Sequence, residues 1–183
     1  VTGDKSLSKM LGIVTLCNDA VLTGKESSWS ILGDPTEGAL LTAAAKLGIY
    51  KKDIERAQPR LDEISFDSQN QYMATLHNDN GVRTVYVKGS IEKVLPMCTS
   101  IETASGTTGL DQASIDRILA VNRTMAGKAL RVLAVAAAPY PVESGKLHAE
   151  HFAGKLTFTG LIAMIDPARE EAKDAVAKCK KAG

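Results

Sequence analysis

The 183-residue sequence has no surplus of either charge: 22 Lys and Arg against 21 Asp and Glu leave a formal +1. Such a balance offers no sequence-wide attraction for nucleic acid or for an anionic membrane surface. Long apolar runs are missing too, since none approaches the ~20 residues needed to cross a bilayer. The opening Val1-Thr2-Gly3-Asp4-Lys5 lacks the basic-then-apolar order of a secretory signal. Cysteines are few: Cys17, Cys98 and Cys179 are odd in number, far apart and form no C-x-x-C. They read as reduced thiols, not as a disulfide framework or a zinc site. No Walker A loop, G-x-G-x-x-G, H-E-x-x-H or G-x-S-x-G occurs. His148 and His151, with Glu150 between them, lie in a Pro-, Gly- and charge-containing connector, where a solvated surface is the usual outcome. Aromatic residues make up only 4%, so each Phe or Trp has to be weighed separately.

What is present is an ordinary globular composition, 44% hydrophobic and 23% charged, which argues against disorder. A chain of this length can bury roughly two-thirds of its unfolded surface without a covalent staple. Apolar residues at helical spacing (Leu7, Met10, Leu11, Val14) predict a helix over 7–16. Residues 23–30 are polar and Ser-rich and read as a loop. Gly33-Asp34-Pro35-Thr36-Glu37 marks a sharp helix start, with Asp34 as N-cap, Pro35 in the first turn and Glu37 where a capping box places its acid. Leu40, Leu41, Ala44 and Leu47 form the apolar stripe of that helix and Gly48 ends it.

Strands are predicted over 61–66, 72–77 and 82–88, the last two joined by the hairpin signal Asn78-Asp79-Asn80-Gly81. Ser90 is placed to cap a short helix through Met97. The Ser-, Thr- and Gly-rich 99–109 reads as a mobile loop. Asp111 opens a helix carrying Ile115, Ile118, Leu119 and Met125, closed by Gly127. A buried strand follows over 131–138, then a connector over 139–154, a strand over 156–165, the break Asp166-Pro167 and a helix over 169–181 whose lysine-rich end suits its dipole. The order predicts an α+β (mixed α/β) fold: a twisted, largely antiparallel sheet flanked by helices. The last strand, Pro turn and helix have the shape of one βα unit, so a boundary is expected near Gly160, dividing the chain into 1–159 and 160–183.

Four sites carry possible chemistry beside a bland reading. Asp34-Pro35-Thr36-Glu37 is explained locally as a helix start, but Glu37 is also placed to accept a hydrogen bond from an exocyclic amine such as that of adenine. Lys88-Gly89-Ser90 is a strand end and turn, or a cation beside a glycine that allows close approach to a ligand near a helix N-terminus. Phe66, followed by polar Asp67-Ser68-Gln69-Asn70-Gln71, is either core or a stacking platform. Arg131 opens an otherwise apolar strand at the sheet's rim, where it could reach phosphate.

In combination and order these segments resemble the nucleotide-binding domain of P-type cation-transporting ATPases, most closely the bacterial calcium and sodium/potassium type. Cys17-Asn18-Asp19-Ala20 is similar to that family's Cys-Asn-Asp segment, and Gly33-Asp34-Pro35-Thr36-Glu37-Gly38-Ala39-Leu40 to its G-D-P-T-E-x-A-L signature. Phe66-Asp67-Ser68 through Met73 resembles F-D-S-x-x-K-x-M, and Lys88-Gly89-Ser90-Ile91-Glu92 resembles K-G-A-P-E. Leu130-Arg131-Val132-Leu133-Ala134 matches L-R-V-L-A, and Asp166-Pro167-Ala168-Arg169 resembles D-P-P-R. The resemblance implies that Phe66 stacks on adenine and Glu37 contacts its amino edge. It further implies that Met73 packs beside the ring, Lys88 and Gly89 line the pocket, and Arg131 reaches toward ribose or the inner phosphates. Ser68 and Gln71 complete the implied nucleotide set, and Asp166, Pro167 and Arg169 would form the hinge.

Departures from the family pattern carry information. Gln71 stands where the family usually has Lys, so one cation near the outer phosphates is missing. Ser90, Ile91 and Ala168 replace Ala, Pro and Pro. The phosphorylated Asp of D-K-T-G-T is absent, as are the T-G-D and G-D-G-x-N-D segments that organise Mg²⁺. The expectation is an excised piece of a pump: an ATP-binding domain with a fragment of the phosphorylation domain. Its partners would be ATP (Mg-ATP in the intact pump) and the phosphorylation and actuator domains. It would be a cytoplasmic part of a protein of the bacterial plasma membrane, with no nucleic acid and no membrane contact of its own. Alone it is expected to bind ATP without turnover. A rival is a regulatory or interaction domain that keeps the fold but not the nucleotide, supported by Gln71. A third reading, a phosphohydrolase using Asp166, is opposed by the Pro that follows it.

Overall fold

The computed structural model describes residues 5–25, 28–141, 146–165 and 170–182. Helix α1 (Lys5–Leu16) is followed by a two-stranded ribbon, β1 (Val21–Lys25) and β2 (Ser28–Leu32), and then by helices α2 (Pro35–Ala45) and α3 (Lys51–Ala57). Next come β3 (Arg60–Ile64), β4 (Tyr72–Asp79) and β5 (Val82–Gly89). A short α4 (Ile91–Val94) runs into a single 3-10 turn (Leu95–Met97), then β6 (Cys98–Thr103) and β7 (Gly106–Gly109). Helix α5 (Gln112–Ala126), β8 (Arg131–Pro139), α6 (Ala149–Phe152), β9 (Leu156–Met164) and α7 (Glu170–Ala182) complete the chain.

Seven strands form one sheet in the order β3-β4-β5-β8-β9-β6-β7, every neighbouring pair antiparallel except β6 with β9. The fold is therefore the α+β arrangement that the alternation of hairpin-linked strands and helices predicts. Helices cover both faces of the sheet. One face packs Tyr72, Ala74, Leu76, Val85 and Val87 against α4, α5 and Phe152; the other packs Met73, Tyr86 and Val135 against α1, α2 and α3. The first six residues of β4 are consequently buried, with alternate side chains going to alternate cores. Between β4 and β5, Asn80 (φ 51°) and Gly81 (φ 86°) form the left-handed pair that a two-residue hairpin turn needs.

Two segments read as loops are hairpins. Of the first, residues 23–25 and 28–30 belong to the β1–β2 ribbon, in register from Val21↔Leu32 to Lys25↔Ser28. Its Trp29, Ile31 and Leu32 are 52%, 43% and 69% exposed, so no buried alternation marks the strands in the sequence. Residues 99–109 hold β6 and β7, the latter an edge strand exposed along its length and built from Gly and Thr. Pairing carried mainly by backbone, with small hydroxyl contacts such as Thr23 with Ser30 and Thr103 with Gly106 O, leaves little apolar signature. Helix α3, absent from the sequence reading, has no side-chain cap and packs only a half-buried Ile54 against the core. Ser90 occupies the N-cap of α4 without capping it; its hydroxyl donates to Gln71 Oε1 at 3.2 Å. At the C-terminal side, β9 runs on through Gly160 to Met164, paired with Arg131 at the start of β8.

Candidate functional site

The N-terminus of α2 supplies the first component. Asp34 accepts hydrogen bonds from the amides of Thr36 (2.8 Å) and Glu37 (3.1 Å), and Pro35 occupies the first turn. Slight burial works against its ionised form, but those amide bonds win and hold its pKa below the usual carboxylate value. Glu37 does not close a capping box. Its side chain turns away from the helix, so Oε2 accepts from the amides of Asp19 (2.9 Å) and Ala20 (3.0 Å) and Oε1 accepts from Lys88 Nζ at 2.5 Å. With the cap satisfied by Asp34, the carboxylate is free for a tertiary role.

Strand β5 supplies the second. Lys88 is buried, its side chain 8% exposed, and its ammonium is divided between Glu37 and the carbonyl of Cys17. Opposite it in β4 is Met73, fully buried. Gly89 follows, paired with Tyr72; a Cβ there would stand 2.5 Å from Gln71 O and from Tyr72 Cβ. The glycine is thus demanded by the approach of β4 and presents bare backbone to the site.

The third component is Phe66. β3 leaves the sheet after Ile64↔Ala74, two residues earlier than its composition predicts, so Ser65 and Phe66 lie beyond the ladder. The ring is 59% exposed. Residues 67–71 behind it form a tight turn organised by Asp67, whose carboxylate accepts from Gln69 N (2.7 Å) and Asn70 Nδ2 (3.2 Å) and whose carbonyl accepts from Gln71 N (2.6 Å). Gln71 sits at φ 57°, a left-handed conformation.

These parts meet in a cavity of about 380 Å³, open to solvent. Glu37, Phe66, Met73, Lys88, Gly89 and Arg131 all line it, whereas Ser68 and Gln71 do not. Gln71 faces Ser90 instead. The hinge candidates Asp166, Pro167 and Arg169 lie outside the described residues. The cavity wall also includes Asp19, Gly33, Asp34, Thr36, Leu40, Ser65 and Leu133, which sequence reasoning had not assigned to a site. All but Ser65 lie inside the matched motifs, and that was the available signal. The Arg131 side chain is exposed and makes no hydrogen bond or salt bridge among the described residues, although its charge helps to hold the Asp34 pKa down, whereas Glu37 and Lys88 neutralise each other. The cavity therefore has an aromatic plate, a methionine floor, a fixed carboxylate and an uncommitted guanidinium at its rim. Its size lies in the range of small-ligand sites.

A larger concavity of about 670 Å³ lies against β1, α3 and the C-terminal half of α2, lined by Trp29, Tyr50 and Lys51 among others. None of the predicted ligand contacts is there. Size alone is a poor guide here; the convergence of aromatic, carboxylate and cation favours the smaller cavity.

Among known proteins, the family of P-type ATPase cytoplasmic N domains matches residues 6–171. The chain is 43% identical over 169 residues to the cation-transporting ATPase pma1 of Synechocystis sp., covering 92% of this chain and 18% of that protein. Identity with calcium-transporting ATPase 1 of Bacillus cereus is 38% over 174 residues, covering 95% of this chain and 19% of the relative. With the sodium/potassium exporting P-type ATPase cta3 of Schizosaccharomyces pombe it is 33% over 178 residues, covering 95% and 17%. The chain thus spans about a fifth of the length of the curated relatives it matches.

Proposed function

The chain belongs to the family of P-type ATPase cytoplasmic N domains, and on that premise we propose that the 380 Å³ cavity binds ATP by its adenine end and presents the phosphates outward. The observation that carries this reading is a 59%-exposed phenyl ring sharing one cavity with the Glu37–Lys88 pair. A ring so exposed serves no core, and stacking on a planar base is worth ~1–3 kcal/mol. Glu37 accepts the exocyclic amine on the one carboxylate lone pair, on Oε1, that its three present donors leave unused. Met73 packs beside the base, Gly89 offers backbone, and Arg131 reaches the ribose or inner phosphates.

Within a whole pump the domain would hold ATP and deliver the γ-phosphate to an aspartate of the phosphorylation domain, through the hinge at Asp166, Pro167 and Arg169. Positioning is much of phosphoryl-transfer catalysis, so a domain that supplies no reacting group still contributes rate. Mg²⁺ would arrive with the nucleotide; among the described residues no cluster of three His, Cys, Asp or Glu side chains is grouped to hold a metal. The setting would be the cytoplasmic side of a bacterial plasma membrane, and no helix among the described residues is long and apolar enough to cross one.

Phosphate recognition is thin, because Lys88 is tied to Glu37 and Gln71 to Ser90. ATP and ADP are therefore expected to bind within a few-fold of each other, with little dependence on Mg²⁺. Titration with each nucleotide, followed by backbone amide shifts, tests the site. Localised shifts around Phe66, Glu37 and Lys88 are expected. No localised shift with either nucleotide would favour a regulatory domain that keeps only the fold.

A further inference from the structure

We propose that Arg60 and Lys51, which lie outside the cavity, are positioning residues that set the adenine-reading geometry of Glu37 through a single peptide group. The C-terminus of α1 and the turn that follows it leave carbonyls without helical partners, and cations gather on them. Arg60 Nη2 donates to Leu16 O (3.0 Å) and Asn18 O (2.7 Å). Lys51 Nζ donates to Asn18 O (2.6 Å) and Ala20 O (3.3 Å). The carbonyl of Asn18, gripped by both, belongs to the same planar peptide as the amide of Asp19, and that amide donates to Glu37 Oε2 at 2.9 Å. Two cations on the oxygen fix the plane and polarise its N–H, strengthening the bond to the carboxylate.

The rest of the turn is held as firmly. Asn18, fully buried, donates from Nδ2 to Val14 O (3.2 Å) and Glu37 O (3.0 Å) and accepts from Ala20 N (2.9 Å) on Oδ1. Arg60 Nη1 is itself anchored by Asp19 (2.7 Å) and Glu63 (2.5 Å). A line of contacts therefore runs from α3 and β3, through the 18–19 peptide, to a carboxylate oxygen in the cavity. Of this line only Asp19 and Glu37 line the cavity; Arg60, Lys51 and Asn18 do not. The proposal rests on the reading of Glu37 as the acceptor of the adenine amine.

The test compares ATP with inosine triphosphate, which carries a carbonyl oxygen where adenine carries its amine. Wild-type protein is expected to prefer ATP by roughly 10- to 100-fold, the worth of one hydrogen bond to a charged group. Arg60→Gln and Lys51→Met should each lower that ratio at least threefold while leaving the inosine nucleotide's Kd unchanged. Combined with Glu37→Gln, neither should lower it further. The Asp19 amide proton should also move upfield in both variants as its bond to Glu37 weakens. If Arg60→Gln does not fold, Lys51→Met carries the same test. A folded variant with the wild-type ratio and an unmoved Asp19 amide overturns the positioning role and leaves the adenine reading standing. A purely structural role would weaken both nucleotides equally, which also overturns the proposal. Wild-type protein that binds both nucleotides alike would instead overturn the reading of Glu37 itself, and the proposal with it.

Discussion

Replacing Lys88 by Met removes one member of an ion pair whose side chains are only 8% and 15% exposed. Met preserves the apolar stem, so the change isolates the ammonium. Two interactions go: the 2.5 Å bond to Glu37 Oε1 and the bond to Cys17 O. Breaking a buried pair from one side typically costs about 3–5 kcal/mol because the partner charge stays behind. Glu37 retains the amides of Asp19 and Ala20, which places the expected loss near the lower end, ~3 kcal/mol. With a urea slope of roughly 2 kcal/mol/M, the midpoint should fall by about 1.5 M. Glu37→Gln should also destabilise, by leaving the ammonium without its counter-charge and replacing one accepting oxygen with an NH2 group that cannot accept. The double variant should be more stable than the sum of the singles predicts, with a coupling of about 1–3 kcal/mol. A midpoint moved by less than about 0.3 M in Lys88→Met, or strict additivity in the cycle, would refute the view that this pair is the electrostatic keystone of the cavity.

Gly89→Ala places a Cβ 2.5 Å from the carbonyl oxygen of Gln71 and from Tyr72 Cβ, so β4 and β5 must separate locally. A loss of about 1–3 kcal/mol is expected in urea denaturation, and wild-type stability would show that the strands yield freely. His77 is fully buried with Nδ1 at 2.9 Å from Gln58 O, which requires the proton on Nδ1, and Nε2 has no partner among the described residues. Burial holds its pKa below the ordinary 6.5. A lowered folded pKa means that its contribution is complete above the unfolded value and is lost as pH falls toward the folded one. Stability measured from pH 8 to 5 should therefore decline below about 6.5 in the wild type and decline less in a folded His77→Gln; identical slopes would remove His77 from the acid response.

Elements with a buried face were legible in the sequence. α1, α2, α5, β4, β5 and β8 carry alternating or helically spaced apolar residues, and hydrophobic patterning reports burial. The β1–β2 ribbon and the β6–β7 hairpin were not, because Trp29, Leu32 and the Gly-Thr run of β7 stay exposed and their pairing is carried mainly by backbone. The cavity was legible through residues that match family motifs, and six of the eight proposed contacts line it. The use made of them was less so. A capping box and a tertiary ion pair ask for the same Glu37, and only the distance to Lys88 distinguishes them. Arg60 and Lys51 sit in no motif that was read, since the partners through which they act on the 18–19 peptide are main-chain carbonyls 31 to 44 residues away in sequence. Backbone acceptors leave no trace in side-chain identity.

The most direct measurement is the ATP dissociation constant of Phe66→Ala by calorimetry, alongside its urea midpoint. Because the ring is 59% exposed, stability should stay within about 0.5 kcal/mol of wild type. Affinity should fall by roughly 5- to 150-fold, the worth of one stacked base. A folded variant that binds ATP as tightly as the wild type would contradict the assignment of this cavity to the adenine.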